Sequence, residues 1–433
     1  MKQEIKERIE KIRKGEVPEG YKKTKIGIVP KDWDIDKLGN IGNFKNGINK
    51  SKEDFGDGIP FVNLMDVFGK PFFNGKKLSL VKANKKEIVE YSLLKGDVLF
   101  VRSSVKPEGV GLTTVILDDL RNTVYSGFLI RFRSINSFDC NFKKYCFFEN
   151  NFRKRVLSVS SISANTNINQ DSLNKLEIQI PTFVEQNKIA SILSTWDKAI
   201  ELKEKLIEQK KELKRGLMQK LLTGEVRFPG FNDEWKILNL GDKLKFVKKE
   251  PLINPNEYKL LTVKLHLQGV EPTSTHPKIT ENGRPYYIRE EGEILIGRQN
   301  FHNGGIGLVP KNADGYIASN AISSLKSSDG NQLFYLFYLS NPNLFKKVGH
   351  LIGGTGQKEI SESMLSKLKI KIPNTKKEIS KITSILKLCD ESLRLEIDSL
   401  ERLKQQKKGL MQLLLTGIVR VNTGEDDELS KDK

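Results

Sequence analysis

Two polar loops in this 433-residue chain carry side chains well suited to hydrogen bonding with a ligand. Each loop begins at an arginine after an apolar run, within GDVLFVRSSVKPEGVGL in the first half and GEILIGRQNFHNGGIGL in the second half. Arginine can bridge O6 and N7 of guanine, and asparagine or glutamine can bridge N6 and N7 of adenine, so such loops can distinguish base edges in a major groove. The side chains concerned are Arg102, Ser103, Ser104 and Lys106 in the first loop, and Arg298, Gln299, Asn300 and His302 in the second.

Three interpretations of the two arginines stay open: a base contact, a phosphate contact and a structural ion pair. Arg102 and Arg298 occupy the same place in two similar segments that align without a gap. An identical position favours a shared phosphate contact over a contact that selects a base, because phosphates carry no sequence information.

A second pair of polar loops follows further along each half. Their candidate side chains are Asn165, Asn167 and Asn169 in SISANTNIN, and Gln357 and Lys358 in IGGTGQKEIS. Ordinary turn chemistry is the alternative, because asparagine and glycine are common in turns. Each loop is preceded by a predicted helix whose basic face is either simply solvated or available to phosphates. The basic residues of these helices are Arg153, Lys154, Arg155, Lys346 and Lys347.

The composition favours a polyanionic partner. Lysine and arginine number 73 against 54 aspartates and glutamates, which gives a formal net charge of +19. Nucleic acid is the first candidate for this partner, and a membrane surface is the second. The longest apolar run, from Leu333 to Leu339, is far too short to span a bilayer, and the amphipathic N-terminal segment lacks the apolar core of a signal peptide. The three cysteines have no metal-ligand spacing, so we expect a reduced, cytoplasmic protein.

Catalytic motifs are missing from the sequence. It contains no GxxxxGK[ST] phosphate loop, and its two GxG pairs lack the third glycine of a dinucleotide loop. The four histidines form no HExxH pattern. We therefore predict no catalytic residue, no metal site and no cofactor bound by this chain.

The loops are positioned by an architecture that is repeated within the sequence. A heptad seam with polar interruptions recurs 193 positions further along, and the two copies end in GLMQKLLTGEVRF and GLMQLLLTGIVRV. Such a seam favours a partner helix over packing on the helix's own domain, and each copy is the obvious partner of the other. Lys203 and Glu396, equivalent interruptions of opposite charge, are candidates to set the register of the pair. The predicted seam residues are Ile189, Leu193, Trp196, Ile200, Ile207, Leu217 and Leu221 in the first copy, and Ile382, Leu386, Cys389, Leu393, Leu400, Leu403, Leu410 and Leu414 in the second.

We predict an α+β fold with two structurally similar globular domains, joined by two long helices that form an antiparallel coiled coil, in a pseudo-twofold repeat. Gly224 and Gly417 follow the seams as helix C-cap signals, and the first 15 residues resemble the tail of a third seam helix that packs beside the C-terminal one. The predicted segments are an N-terminal helical segment 1–24, domain 25–181, long helix 182–228, domain 229–373, long helix 374–421 and an acidic tail 422–433.

The repeated WxxxxLG domain starts, the strand and proline before each long helix, and the LMQxLLTG helix endings resemble the DNA-specificity subunit of type I restriction-modification enzymes. This resemblance implies two target recognition domains that each read one half of a split duplex DNA sequence. It also implies docking of two methyltransferase subunits and of restriction subunits, which would carry the S-adenosylmethionine, ATP and magnesium chemistry. Two alternatives are a self-contained methyltransferase-nuclease, which needs a catalytic motif, and a coiled-coil adaptor, which leaves the net charge unexplained.

Overall fold

The computed structural model describes residues 3–73, 75, 77–135, 138–278, 283–351 and 359–422. The chain divides into two units, residues 1–202 with 400–433, and residues 203–399. Each unit therefore contains one mixed α/β part and half of each long helix. Gln357, Lys358 and the acidic tail after residue 422 lie outside the described residues, and so do the side chains of Lys346 and Lys347.

The first unit combines short helices and strands with the start of a long helix. Its strands are β1 Tyr21–Thr24, β2 Gly27–Pro30, β3 Asp34–Lys37, β4 Gly42–Asn46, β5 Phe55–Val62, β6 Phe72–Phe73, β7 Ser79–Val81, β8 Val98–Val101, β9 Ser103–Ser104, β10 Thr113–Ile116, β11 Val124–Tyr125, β12 Leu129–Ser134, β13 Ser161–Ile162, β14 Thr166–Asn167 and β15 Glu177–Ile180. Its helices are α1 Gln3–Arg13, α2 Leu38–Ile41, α3 Leu64–Val67, α4 Lys85–Tyr91, α5 Lys143–Cys146, α6 Asn150–Ser158, α7 Gln170–Asn174 and the beginning of α8 Phe183–Thr223, with 3₁₀ turns at Lys52–Asp54 and Pro107–Gly109.

Among the described residues, the second unit has fewer strands than the first. They are β16 Lys236–Asn239, β17 Leu244–Phe246, β18 Leu261–Val263, β19 Val270–Pro272, β20 Tyr286–Ile288, β21 Ile294–Gly297, β22 Ile306–Leu308, β23 Ile317–Ser319, β24 Ile322–Ser327 and β25 Lys369–Ile372. Its helices are α9 Leu240–Lys243, α10 Gln332–Leu339, α11 Pro342–Leu351, α12 Glu362–Lys367 and most of α13 Lys376–Leu415, with 3₁₀ turns at Pro255–Glu257, Arg298–Asn303 and Lys311–Ala313.

The main sheets of the two units follow one plan. The order is β4-β12-β8-β10-β6 in the first unit and β17-β24-β21-β22 in the second. The central strands β8 and β21 come from the two gapless matching segments, and each pairs antiparallel with both of its sheet neighbours. Residues of β8 are fully buried, as expected for an apolar strand with other elements on both faces. The sequence prediction of two similar mixed domains is confirmed.

The two long helices run antiparallel within each unit. In the first unit the ammonium of Lys407 binds the carboxylate of Asp197, and in the second unit that of Lys214 binds Asp390. These are the same contact at the 193-residue offset. Among the leucines off the predicted seam, Leu202 and Leu213 are 53% and 61% exposed, which disfavours packing of that helix face on the domain.

The predicted seam residues turn away from solvent. Each of them is buried or half-buried, and Leu193 and Leu386 are fully inaccessible. The apolar ends of the helices belong to the domain cores, with Ile189, Leu193 and Leu414 in that of the first unit and Leu221, Ile382 and Leu386 in that of the second. The seam is therefore partly a domain core and partly a contact between helices.

The long helices are shorter than the segments predicted for them. They cover Phe183–Thr223 and Lys376–Leu415, against 182–228 and 374–421. Gly224 and Gly417 end them with φ of +73° and +68°, which confirms the predicted left-handed caps. Residue 182 and residues 374–375 precede the helices, and the other extra predicted residues form the turns and extended chain at and after each cap. Helix α1 and strand β1 also contact this region, where Arg8 of α1 donates to the Ile418 carbonyl and Tyr21 of β1 donates to the Gly417 carbonyl.

Each unit buries one glutamate at the start of a long helix. In the first unit Glu185 accepts hydrogen bonds from Arg420 at 2.7 Å and from the Trp33 indole at 2.6 Å. In the second unit Glu378 accepts two from Arg227 at 2.8 Å each, and Trp235 lies 3.4 Å away. The tryptophan of each WxxxxLG start thus ties the strand that follows it, β3 or β16, to a long helix.

Within the described residues, no helix has the length and apolar character that crossing a bilayer requires.

Candidate nucleic-acid interface

The two polar loops of the first unit, which the sequence presents about sixty residues apart, form one structure. The backbone of Arg102 donates to the Phe128 carbonyl and accepts from the Ile168 amide, both at 2.9 Å. The next two residues form β9, which pairs antiparallel with β14, so that Ser103 lies opposite Asn167. Strand β13 completes a three-stranded sheet. The structure therefore joins the candidates of both loops on one small sheet, which we call the first recognition sheet (β9, β13 and β14).

Cationic and polar side chains surround this sheet. Lys106 is exposed, and the guanidinium of Arg102 donates to the Gly127 carbonyl at 3.3 Å. Within the part of the chain that the structure describes, neither cation has a carboxylate within ion-pairing distance. Asn165 is exposed at the turn between β13 and β14. Arg102 thus lacks the structural ion pair that was one of its three interpretations.

Other predicted contacts of this loop set are structural. The Asn169 side chain accepts from the Ser172 amide at 2.8 Å and caps α7, which is the turn chemistry that the sequence left as an alternative. The Asn167 amide group donates to the Asn165 carbonyl. Of the three asparagines, Asn165 is the one whose side chain has no structural bond among the described residues.

The basic face predicted for α6 is wrong for two of its three residues. The Arg153 guanidinium donates to the carbonyls of Gly111 at 2.6 Å, Val110 at 2.7 Å and Glu108 at 3.1 Å. Arg155 donates to the Glu177 carbonyl. Burial lowers the pKa of Arg153 to about 10 and also lowers that of Arg155. Lys154 is exposed and is the one of the three placed to meet a phosphate.

The second unit repeats the backbone connections of the first. Arg298 donates its amide to the Ala321 carbonyl and accepts from the Ile360 amide, both at 3.1 Å. Its side chain differs from that of Arg102, because Nε lies 2.8 Å from a carboxylate oxygen of Glu359. Of the three interpretations, the structural ion pair is the one observed for Arg298. Asn300 is exposed and Gln299 is half-buried on the same 3₁₀ turn.

The turn that follows Arg298 packs on a hairpin that sequence analysis did not single out. His266 and Leu267, at the tip between β18 and β19, both have left-handed backbones with φ of +56° and +58°. Their amides donate to the carbonyls of Asn303 and Gly304. Such conformations are unusual for residues other than glycine and cluster at functional loops. His302 has its Nδ1 atom buried without a hydrogen-bond partner among the described residues.

A polar cavity of about 450 Å³ lies beside Arg298 in the second unit. Its lining includes the side chains of Lys249, Arg289 and Asn320. Arg289 is 3% exposed and donates to the Ile322 carbonyl at 2.7 Å, and burial lowers its pKa. No local sequence pattern marks these three residues, since they come from three separate loops.

A groove of about 430 Å³ beside the first recognition sheet contains further residues missing from the sequence prediction. Met65 and Phe68 come from α3 and the residue after it, and Phe128 comes from the turn before β12. Only the Asn63 and Asp66 capping box, which fixes α3, could be recognised locally.

The described residues contain no group of three or more His, Cys, Asp or Glu side chains arranged to hold a metal.

Comparison with known proteins identifies relatives over nearly the whole chain. A relative in Methanocaldococcus jannaschii, provisionally named the specificity subunit of the MjaX type I restriction enzyme, is 27% identical over 94% of this chain and 98% of its own length. The MjaIX specificity subunit of the same organism is 24% identical over 93% and 96%.

Solved structures share the fold. The S subunit of a type I restriction-modification system from M. genitalium matches with a TM-score of 0.50, at 16% identity over 88% of this chain and 96% of that one. A second structure comes from work on complex assembly and conformational transition of the type I R-M system. It matches with a TM-score of 0.54, at 14% identity over 90% of this chain and 99% of that one.

The family model described as "Type I restriction modification DNA specificity domain" matches residues 30–212 and again residues 232–405. Because these two matches cover most of the chain, this protein belongs to the type I restriction-modification DNA specificity family.

Proposed function

We propose that this chain is the DNA-recognition subunit of a type I restriction-modification complex, in which each unit reads one half of a bipartite duplex target around an unread spacer. One observation carries the proposal. The two units hold their arginine loops with the same backbone hydrogen bonds, at Arg102 and at Arg298, yet present different side chains. A shared scaffold with different polar loops is suited to reading two different sequences.

The charge of the chain supports DNA as the ligand. The formal net charge is +19, and the exposed cations of the first unit include Lys106 and Lys154. Each phosphate that a lysine or arginine neutralises releases a counterion. The logarithm of the binding constant should therefore fall by about 0.9 for each phosphate contact when the salt concentration rises tenfold.

The partners are proposed from family membership. Two methyltransferase subunits and the restriction subunits would dock on this chain, and they would hold S-adenosylmethionine, ATP and magnesium. This chain would bind no cofactor and would act through position alone, by fixing where its partners meet the DNA. The M. jannaschii relatives, which are named as specificity subunits over nearly their full lengths, support this assignment.

Selection of bound duplexes from a random library tests the proposal. The purified chain should enrich two short sequence blocks separated by a constant unread gap. An Arg102→Ala, Ser103→Ala double variant should alter one block, and Asn300→Ala should alter the other. Lys387→Gln, at an exposed position on α13, is the control and should leave both blocks unchanged.

Two outcomes would contradict the proposal. Binding that is independent of salt and sequence would favour the coiled-coil adaptor. Nuclease, methyltransferase or ATPase turnover that remains with the chain after rigorous purification would favour the self-contained enzyme.

A further inference from the structure

Several exposed apolar side chains lie together beside the first recognition sheet. They come from separate places in the chain: Met65 and Phe68 from α3 and the residue after it, Val105 from the arginine loop and Phe128 from the turn before β12. Val105 is 82% exposed, Met65 77%, Phe128 57% and Phe68 40%. An exposed apolar cluster of this kind usually marks a binding surface, because it is costly to hydrate.

The backbone that carries these side chains is firmly held. A capping box between Asn63 and Asp66 fixes the short helix that bears Met65. The carbonyl of Phe128 accepts from the Arg102 amide, and the preceding Gly127 packs so closely that a Cβ there would lie 2.0 Å from Asn49 Oδ1. The apolar groups are therefore preorganised, which lowers the entropic cost of binding.

Polar and cationic groups border the same groove. Ser103, Ser104, Lys106 and Asn165 line it together with the apolar residues. Hydrogen-bonding groups, a positive charge and an apolar floor together match the major-groove edge of an A·T pair, where thymine presents both an acceptor oxygen and a C5-methyl group. The bordering charge and the continuity with the first recognition sheet favour DNA over an apolar peptide.

We propose that Met65, Val105 and Phe128 contact thymine C5-methyl groups, so that the first unit reads A·T pairs in its half-site through apolar contact. This inference rests on the proposed DNA-reading function of that sheet. It names the chemical group recognised and three residues that determine specificity. Phe68, the least exposed of the cluster, would form the wall behind them.

Replacing thymine by uracil removes the methyl group and leaves every hydrogen-bonding group of the base in place. The probes are duplexes that the full-length protein has itself enriched from a random library. In these duplexes, each thymine is replaced by uracil, one at a time. One or more replacements within a single block should weaken binding about fivefold each, as expected for loss of one buried methyl group. Replacements in the other block and in the spacer should change affinity less than twofold.

A nearly isosteric variant connects that effect to the groove. Val105→Thr exchanges a methyl group for a hydroxyl at an exposed position and should reduce the preference for thymine over uracil to about twofold or less. Val89→Thr, at a 79% exposed position on α4 of the same unit, is the matched control and should keep the full preference. Met65→Gln gives an independent second variant with the same expected direction.

The outcomes distinguish this inference from the function beneath it. If no sequence is enriched, the proposed function itself fails. If two blocks are enriched but uracil binds as well as thymine everywhere, or if neither block contains an A·T pair, the methyl-contact inference is overturned while the function stands. A Val105→Thr variant that keeps the thymine preference but no longer binds a methyltransferase subunit would make the groove a protein interface and would also overturn it.

Discussion

Arg153 shows how a basic side chain can support a binding loop without contacting the ligand. Its guanidinium donates hydrogen bonds to three backbone carbonyls of residues 108–111, next to the arginine loop of the first unit. Carbonyls that lose such a donor inside the protein remain desolvated and unpaired. Arg153 is thus a positioning residue for the groove and for Arg102.

We expect Arg153→Gln to lower the free energy of unfolding by about 2 kcal/mol, because it removes charged hydrogen bonds to three carbonyls, two of them partly buried. Chemical denaturation of the variant measures the loss. Lys154→Gln, at the exposed neighbouring position, should leave stability unchanged and instead reduce the salt dependence of DNA binding. Equal stability of the two variants would show that the Arg153 contacts do not stabilise the loop.

Glu396 joins two lysines across the helix pair of the second unit. Its carboxylate lies 2.7 Å from the ammonium of Lys203 and 2.8 Å from that of Lys210. These hydrogen bonds from Lys203 and Lys210 lower the pKa of Glu396 to about 2. A carboxyl whose pKa is lower in the folded state stabilises the fold above its unfolded pKa and loses that contribution as the pH falls towards its folded pKa.

The stabilising effect of Glu396 should therefore disappear in acid. Glu396→Gln should be less stable than the natural protein at pH 6, and the difference should shrink as the pH falls from about 4.5 towards 2. Denaturation of both proteins across this range measures it. Glu391→Gln, at an exposed position on the same helix, is the control substitution. A constant difference for Glu396→Gln would mean that its charge is not what matters.

At the scale of elements, each domain is connected to a long helix through a buried glutamate. The Glu185 side chain is 2% exposed and that of Glu378 is 1% exposed, and each pairs with an arginine that follows the cap of the other long helix. A buried carboxylate without its partner is costly, so the arginine, the tryptophan and the glutamate act together. This arrangement holds strands β3 and β16 against α8 and α13 respectively.

Glu378→Gln should destabilise the protein by about 3 kcal/mol, because it removes the carboxylate that pairs with the half-buried Arg227. Glu185→Gln should be less destabilising, because Arg420 also pairs with Asp32 at 2.6 Å and keeps that partner. Thermal unfolding measures it, with Glu401→Gln at an exposed helix position as the control. If Glu401→Gln were equally destabilising, the effect would reflect helix charge rather than these buried sites.

At the scale of the whole molecule, the proposed function makes the length of the paired helices a determinant of the unread spacer. Duplicating residues 201–207 and 394–400 inserts one heptad into both helices and keeps the seam in phase. The added length is about 10 Å at 1.5 Å per residue. At about 3.4 Å per base pair, the preferred spacer should grow by roughly three base pairs.

Selection from a library of spacer lengths checks this expectation. Affinity should fall as the spacer optimum shifts, because one reader must also follow the groove around the duplex. Insertion into one helix alone is the control and should lower stability by shifting one seam against the other. An unchanged spacer optimum in the doubly extended protein would show that helix length does not determine the spacer.

Features that depend on local periodicity and on repetition could be predicted from the sequence. The two seams, the caps at Gly224 and Gly417, and the matching strands before Arg102 and Arg298 were all recognisable. Each depends on short-range backbone geometry, and the segments that encode it occur twice in the chain. The family also followed from these repeated strings.

Only the tertiary structure decided which side chains meet. Pairing of Ser103 with Asn167 joins residues more than sixty positions apart, and no local signal encodes such a contact. The direction in which each side chain points is also set by the tertiary structure. Arg153 and Lys154 are adjacent in sequence, yet Arg153 binds backbone carbonyls and Lys154 faces water. The exposed cluster of Met65, Val105 and Phe128 likewise exists only once helix α3, the arginine loop and the turn before β12 are packed together.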